Sequence, residues 1–208
     1  MKIVYDPATD FSQHGTQALI FEYFAKHPLR HAALVDVGAF GRFLSNSFGL
    51  LKLGWKGLLI EPNPDRIKII ESEFAGLKIV VLNVGIGDVA GILPFHLHTT
   101  TGYDSFSPDW SPQDKSGKVL SVYVFPLAFV LSEMKIPKDF DLLSVDTEGF
   151  DFKIITALFS SSDYRPRLIV TEANSYPDAV GLFKGFGYAL HALAGNPEDG
   201  NLIFSRDN

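Results

Sequence analysis

Acidic residues stand directly after several short apolar runs in this 208-residue chain. Four of them share that position: Asp36, Glu61, Asp146 and Glu172. If the runs are parallel strands, ligands bind beyond their carboxyl ends, so the four carboxylates should face one cleft. Carboxylates are strong acceptors for hydroxyl and ammonium groups. The pattern therefore indicates a polar ligand site assembled from strand ends.

A glycine turn, Gly38 to Gly41, follows the first of these runs. Glycine lets a ligand approach the backbone closely. Glu61 comes 23 residues after Gly38, near the ~20-residue spacing of nucleotide-binding folds. Its carboxylate could accept hydrogen bonds from both hydroxyls of a ribose. The spacing fits equally well a tight strand–helix turn followed by a helix-capping acid.

The composition of the turn discriminates between two cofactors. A dinucleotide site requires G-x-G-x-x-G, with helix amides facing a pyrophosphate, but this turn is G-A-F-G followed by Arg42 and lacks the third glycine. Asp36 would repel a pyrophosphate, whereas it could accept hydrogen bonds from an ammonium group. S-Adenosylmethionine (SAM) carries an amino acid and no phosphate. The residues therefore favour SAM, with an NAD(P)-dependent oxidoreductase as the alternative.

Alternating strand and helix signals place these residues in an α/β fold. Strands are predicted at 32–35, 57–60, 78–84, 91–98, 119–125, 140–145 and 168–171. Helices are predicted at 12–30, 43–52, 62–74, 126–134, 150–160 and 177–186. Such alternation predicts right-handed crossovers and a mostly parallel, Rossmann-like sheet, here with a C-terminal antiparallel hairpin. No Pro/Gly-rich linker divides residues 1–208, so we expect a single domain.

A polar, turn-rich stretch at 99–118 interrupts this alternation and is predicted to be a long loop. Loops of this length inside compact domains are usually functional or disordered. Polar donors stand beside aromatic rings, which suits a hydroxylated acceptor. We therefore predict a lid over the substrate, with Tyr103, Asp104 and Trp110 as substrate-binding residues. An insertion without a role is the alternative.

Composition excludes several classes of protein. The chain carries 18 Lys+Arg against 24 Asp+Glu, a net charge of −6. That balance argues against nucleic-acid binding by bulk charge and against docking on anionic membranes, although a local basic patch is compatible with it. With no cysteine, disulfides and thiolate metal sites are ruled out, and a reducing cytoplasm suits the chain. We expect a cytoplasmic protein with a small-molecule or carbohydrate partner, and a homo-oligomer stays open.

Four stretches, taken in order, resemble one family. They are S-Q-H-G-T-Q at 12–17, D-V-G-A-F-G-R-F-L-S-N-S at 36–47, L-G-W-K-G-L-L-I-E-P-N-P at 53–64 and L-L-S-V-D-T-E-G-F-D at 142–151. The chain resembles the FkbM-type, SAM-dependent methyltransferases from Ser12 to about Thr171. The resemblance implies a class I methyltransferase fold of the Rossmann-like kind. Arg42 departs from the family's usual glycine, which keeps a non-catalytic SAM-binding module as an alternative.

The resemblance also implies where SAM would bind. The residues follow the predicted strands: Asp36, Gly38, Ala39, Phe40, Glu61, Pro62, Asn83, Val84 and Asp146. Asp36 and the turn would line the methionine part, Glu61 would hold the ribose, and Asn83 with Val84 would flank the adenine. Asp146 would lie near the sulfonium and the transferring methyl group.

At the methyl end, the resemblance implies O-methylation of a hydroxyl on a small molecule or sugar. Asp146 is predicted to be the catalytic base, with Glu148 and Glu172 in contact with the acceptor. Asp146, Glu172 and Asn174 could also offer oxygen ligands to Mg²⁺, as residues after equivalent strands do in catechol O-methyltransferase. A solvated rim is the favoured interpretation, so no metal is predicted.

Overall fold

The computed structural model describes residues 3–100, 102–110, 115–173 and 176–206. Strands in this part of the chain are β1 Ala33–Val37, β2 Lys56–Ile60, β3 Ile79–Leu82, β4 Gly85–Gly87, β5 Gly91–His98, β6 Lys115–Pro126, β7 Leu142–Val145, β8 Leu168–Glu172, β9 Ala189–Ala194 and β10 Asn201–Ser205. Its α-helices are α1 Thr16–Lys26, α2 Phe48–Lys52, α3 Pro64–Glu73, α4 Leu127–Glu133, α5 Asp151–Ser161 and α6 Tyr176–Gly185. Short 3₁₀ turns cover Pro7–Thr9 and Gln13–Gly15.

Seven strands form the main sheet, in the order β3-β2-β1-β7-β8-β10-β9. The first five are parallel, and β10 runs antiparallel to both β8 and β9. Every residue of β1 and β7 is buried, as parallel strands covered on both faces require. The predicted α/β, Rossmann-like fold with a C-terminal antiparallel hairpin is confirmed.

Helices cover both faces of this sheet and close two apolar cores. On one face α4, α5 and α6 contribute Leu131, Ile154 and Phe183. On the other face α1, α2 and α3 contribute Ile20, Leu50 and Ile70, beside the fully buried Trp55. Burying such side chains contributes about 1.5–3 kcal/mol each. The carboxyl ends of the parallel strands are thereby held at one rigid edge.

The strands predicted at 91–98 and 119–125 do not belong to the main sheet but form a second sheet. Its order is β4-β6-β5, with β5 antiparallel and β4 parallel to β6. The three-residue β4 carries too little apolar pattern to be recognised in the sequence. Phe95 and Val124 turn into the protein and are buried, so this sheet stands beside the carboxyl edge of the main sheet.

Several predicted boundaries are wrong. The loop does not extend to residue 118, because β6 begins at Lys115, where it pairs with His98; residues 101 and 111–114 lie outside the described part. The helix predicted at 43–52 begins only at Phe48, because the Ser45 hydroxyl accepts hydrogen bonds from the Ser47 and Phe48 amides, 3.2 and 3.0 Å. Such local serine turns compete with helix formation.

The N-terminal helix is also shorter than the predicted 12–30. It is preceded by Gly15 in the left-handed region and ends at Lys26, since His27 is extended and Pro28 follows. No helix in the described ranges is long and apolar enough to cross a bilayer.

Candidate functional site

A cleft of about 1140 Å³, its open mouth included, lies at the carboxyl ends of β1, β2 and β7. Eight of the nine predicted cofactor residues line it: Asp36, Gly38, Ala39, Phe40, Glu61, Pro62, Val84 and Asp146. Three of the predicted substrate residues also line it: Tyr103, Asp104 and Glu148. The topology therefore brings most of the residues chosen from strand ends into one concave site.

Gly38 joins two walls of the cleft by backbone contact. Its φ is +83°, and a Cβ at this position would stand 1.7 Å from the carbonyl oxygen of Asp146. Only glycine fits here. The Gly38 and Ala39 amides donate to the Ile60 carbonyl, at 2.9 and 3.1 Å. The turn is thus locked to β2 and β7, and these two amides already have acceptors.

Asp36 lies in the cleft wall behind this turn, only 7% exposed. Its Oδ2 accepts a hydrogen bond from the Ser47 hydroxyl at 2.6 Å, and the Ser144 hydroxyl bonds the same carboxyl. Asn46 donates to the Ser144 oxygen at 3.3 Å. Burial raises the pKa of the Asp36 carboxyl, and the two hydroxyls oppose that rise. The carboxyl is therefore a fixed acceptor suited to a cationic group.

Glu61 occupies the equivalent place at the end of β2. Burial raises the pKa of its carboxyl to about 8, although the amide of Asn63 donates to it at 2.6 Å. Asn83, predicted to flank adenine, lies outside the cleft lining and is exposed. Its side-chain amide donates to the carbonyls of Glu61 and Pro62, at 2.9 Å each. Asn83 thus holds the main chain that presents Glu61.

Residues 102–110 fold across the mouth of the cleft. Asp104 accepts from the Asn63 side-chain amide and from the His98 backbone amide, at 2.8 Å each. The Ser105 hydroxyl donates to the Glu148 carbonyl at 2.7 Å. Tyr103 lines the cleft yet is 45% exposed. This part of the predicted lid is thus tied to both walls of the cleft.

Trp110 lies beside the cleft lining, against Glu148. Its Nε1 donates to Glu148 Oε2 at 2.5 Å, and its ring packs against Gly149. Burial raises the pKa of the Glu148 carboxyl to about 7, which the Trp110 bond opposes. Glu148 also has a left-handed φ of 54°, a conformation that is strained for a residue other than glycine. Trp110 therefore orients a wall residue instead of lining the wall itself.

Three carboxyl groups converge at this end of the cleft. One oxygen from each of Asp146, Glu148 and Glu172 lies within 4.8 Å of the others. Burial and the neighbouring carboxylates raise the pKa of Asp146 well above its usual range and that of Glu172 to about 10. Glu172 lies outside the cleft lining, and Asn174 lies outside the described residues. The cluster can hold protons at neutral pH or neutralise a cationic group.

Asp151 organises this end, and the sequence interpretation overlooked it. It is 1% exposed at the start of α5. Its Oδ1 accepts from the Thr147 amide and hydroxyl, at 2.8 and 2.6 Å, and its Oδ2 accepts from the Thr171 hydroxyl and the Glu172 amide, at 2.9 and 3.2 Å. An acid opening an otherwise apolar helix after a strand end was the available signal.

The comparisons with known proteins agree with this geometry. The methyltransferase FkbM domain matches residues 36–196 of the chain. The match covers most of the sequence and includes the glycine turn and the strand ends that form the cleft. The chain belongs to the FkbM methyltransferase family, and the resemblance seen in its motifs is confirmed.

Several solved structures share the fold. Methyltransferase FkbM from Methylobacillus flagellatus superposes with a TM-score of 0.55 at 17% identity, covering 88% of this chain and 46% of its own. A precorrin-6y C5,15-methyltransferase from Geobacter metallireducens gives 0.50 at 14%, covering 100% and 95%. A Streptococcus agalactiae protein of the NADB-Rossmann superfamily gives 0.53 at 14%, covering 96% and 71%.

The first of these structures is much longer than this chain, which spans 46% of its length. No curated protein matches the sequence. At these identities the solved structures show only that the fold is shared. Membership of the FkbM methyltransferase family rests on the match over residues 36–196.

Proposed function

We propose that the protein is a SAM-dependent methyltransferase that transfers a methyl group to a hydroxyl of a small molecule or sugar. The family match supports methyl transfer, and membership of this family implies SAM. One observation carries the assignment of the cleft to SAM. Asp36, Glu61 and Asp146, acids from three strand ends, line a single cleft around a glycine turn that no larger residue could form.

The charge of the cleft favours SAM over a dinucleotide. Among the described residues, five carboxyl groups line it, against one cationic side chain, Arg66, whose guanidinium stacks 4.0 Å from the Phe40 ring centre. The acids are Asp36, Glu61, Asp104, Asp146 and Glu148. In their carboxylate forms these groups attract a sulfonium and an ammonium group and repel a pyrophosphate. The turn amides that would hold a pyrophosphate already donate to Ile60.

The residues at the methyl end fit a positioning mechanism. SAM, when bound, supplies a methyl group on a positively charged sulfur. Asp146 would take the proton of the acceptor hydroxyl, directly or through a water. Burial makes the Asp146 carboxylate a stronger base than an exposed aspartate. The neighbouring Glu148 would orient the acceptor, and the walls contribute alignment and exclusion of water.

The described part of the loop, residues 102–110, is proposed to cover the acceptor. Tyr103 and Asp104 face the cleft and would contact the acceptor, whereas Trp110 would act through Glu148. Glu172 would act behind Asp146, where the two carboxyl groups interact. No magnesium is required in this scheme, since the acceptor proton has a carboxylate to receive it.

Arg42, the basis of a non-catalytic alternative, lies outside the cleft. Its amide donates to Glu73 at 2.6 Å, and its guanidinium lies 4.9 Å from the Phe11 ring centre. Arg42 is not part of the cleft lining. This placement supports an intact cofactor site.

Two measurements test the proposal. S-Adenosylhomocysteine, but not NAD, should raise the melting temperature; at 100 times its Kd a ligand adds about 2.7 kcal/mol. A panel of sugars and hydroxylated metabolites with labelled SAM should then show methyl transfer. Stabilisation by NAD alone would overturn the cofactor assignment. Binding of S-adenosylhomocysteine without transfer to any acceptor class would favour the binding module.

The acidic lining of the cleft also argues against a nucleic acid as the methyl acceptor, because the lining would repel a polyanion. A small neutral or cationic acceptor is the proposed partner. That the protein is cytoplasmic, and that it could form a homo-oligomer, are predictions from the sequence alone.

A further inference from the structure

A second cleft lies at the opposite edge of the main sheet, where the parallel strands begin. In the described part of the chain, its lining carries five cationic side chains against two carboxylates: Arg30, Lys138, Arg165, Arg167 and Arg206 against Asp139 and Asp163. This excess of positive charge is notable in a chain with a net charge of −6. The cleft encloses about 530 Å³, its opening included.

Both carboxylates of this basic cleft already have cationic partners. Asp139 accepts from Arg30 at 2.7 Å and lies 2.8 Å from His31 Nε2, and Asp163 accepts from Lys138. Arg165 is occupied in another way, since it donates to main-chain carbonyls at the end of α5. Of the other two arginines, Arg167 faces the buried Asp141 carboxylate behind the lining, and Arg206 has no ion pair with either acid of the lining.

Arg167 is the buried member of the cleft, only 7% exposed. It donates through one terminal nitrogen to the Pro28 carbonyl. The Asp141 carboxylate lies 3.9 Å away and accepts from the backbone amides of Arg30 and His31. Within the described part of the chain, the buried Nε of Arg167 has no hydrogen-bond partner. A buried charged donor without a partner is costly, which marks the surroundings of the Arg167 guanidinium as incompletely satisfied.

Arg206 directly follows β10 and lies opposite Arg167, which directly precedes β8. Its amide donates to the Arg167 carbonyl at 3.0 Å, one step beyond the β8–β10 ladder. Among the described residues, the Arg206 guanidinium has no acceptor within hydrogen-bond distance. Like charges placed opposite each other on adjacent strands destabilise a sheet. An anion between the two guanidinium groups would remove that cost.

We propose that this basic cleft binds the phosphate group of a small soluble anion, separate from the proposed methyl-transfer site. Guanidinium groups match phosphate oxygens in charge and in planar, two-pronged geometry. Arg206 and Arg167 bind the phosphate, and Lys138 and Arg30 add positive charge at the rim.

Isothermal titration with inorganic phosphate, at constant ionic strength, tests the site. Saturable binding is expected, about tenfold or more weaker in Arg206→Gln, because a charge-assisted hydrogen bond is lost. Lys118→Gln, an exposed cation on β6, serves as the matched control and should bind like the parent. Absence of saturable binding, or equal binding by Arg206→Gln, would overturn the proposal.

A second readout does not depend on any variant folding. Arginine Nε resonances of the unaltered protein should shift on phosphate addition for Arg167 and Arg206, and should shift equally when S-adenosylhomocysteine saturates the other cleft. Shifts confined to other arginines would contradict the site. Repeating the titration with glucose 6-phosphate separates two supporting outcomes: tighter binding assigns a phosphorylated metabolite, and equal binding assigns phosphate itself.

Discussion

Glu61 is the residue on which the proposed cofactor contact depends most directly. Replacing it with alanine should weaken S-adenosylhomocysteine binding by about 1.5–3 kcal/mol, since hydrogen bonds to a charged acceptor are lost. Glu71→Ala, which removes an exposed carboxylate from the adjacent helix α3, is the matched control. Calorimetric titration measures the affinity of both variants for S-adenosylhomocysteine. An unchanged affinity in Glu61→Ala would mean that Glu61 only caps the helix that follows it.

The same carboxyl should make ligand binding depend on pH. The unliganded Glu61 has a pKa of about 8, so it is largely protonated at pH 6, whereas ribose hydroxyls bind the carboxylate form. Binding then releases a proton, and the affinity for S-adenosylhomocysteine should rise by up to about tenfold per pH unit below 8. Glu61→Gln should bind more weakly and lose this slope. An affinity that is flat between pH 6 and 8 in the unaltered protein would contradict the contact.

Gly38 should tolerate no side chain. In Gly38→Ala the new methyl would meet the Asp146 carbonyl at 1.7 Å, at a φ of +83°, so the turn must move and both folding and cofactor affinity should suffer. The cost should exceed the roughly 1–3 kcal/mol typical of backbone strain alone. Gly181→Ala on α6, where the added methyl meets nothing within 4 Å, should keep or raise the melting temperature. Equal melting temperatures for both variants would show that the turn can relax.

At the scale of elements, the contact between the loop and Glu148 can be tested by removing a single donor atom from Trp110. Trp110→Phe keeps a ring against Gly149 but removes the Nε1 donor to Glu148. Methyl transfer should fall about tenfold, because a hydrogen bond to a charged group is worth about 1.5–3 kcal/mol, while S-adenosylhomocysteine affinity stays nearly constant. Tyr123→Phe, on the exposed face of β6, is the control. Equal loss of transfer and cofactor affinity in Trp110→Phe would mean that the loop holds the cofactor.

The elements also show how far the sequence could be interpreted. The sequence predicted β1, β2, β7 and β8 correctly, because a buried parallel strand is a short continuous apolar run, and in each of these cases an acidic residue ends the run or follows it. The second sheet was not foreseen, since pairing between β5 and β6 depends on residues distant in sequence. The turn at Ser45 overrode a helical pattern through local hydrogen bonds, and the basic cleft draws on the starts of several strands that no motif connects.

For the whole molecule, the buried acids predict an unusual pH profile of stability. Glu61 and Glu148 have folded pKa values of about 8 and about 7, above those of an unfolded chain, so the folded state binds more protons between about pH 4.5 and 8. The stability they contribute is complete below about pH 4.5 and is lost as pH rises through 8. Melting temperatures of the ligand-free protein should fall over that range, and Glu61→Gln should flatten the fall. A melting temperature that rises steadily with pH would contradict this assignment.

The pairing of Gly87 with Pro126 in the second sheet has a consequence for how the molecule could diversify. The chain leaves β4 and returns beside it at the end of β6, so about residues 88–125 form one continuous excursion whose two ends are neighbours. Under the proposed function, exchanging it for the corresponding stretch of another family member should change acceptor choice, provided that Asp104, which accepts from Asn63 beside Glu61, is kept. A catalyst built this way can acquire new substrates by replacing one continuous piece of its gene.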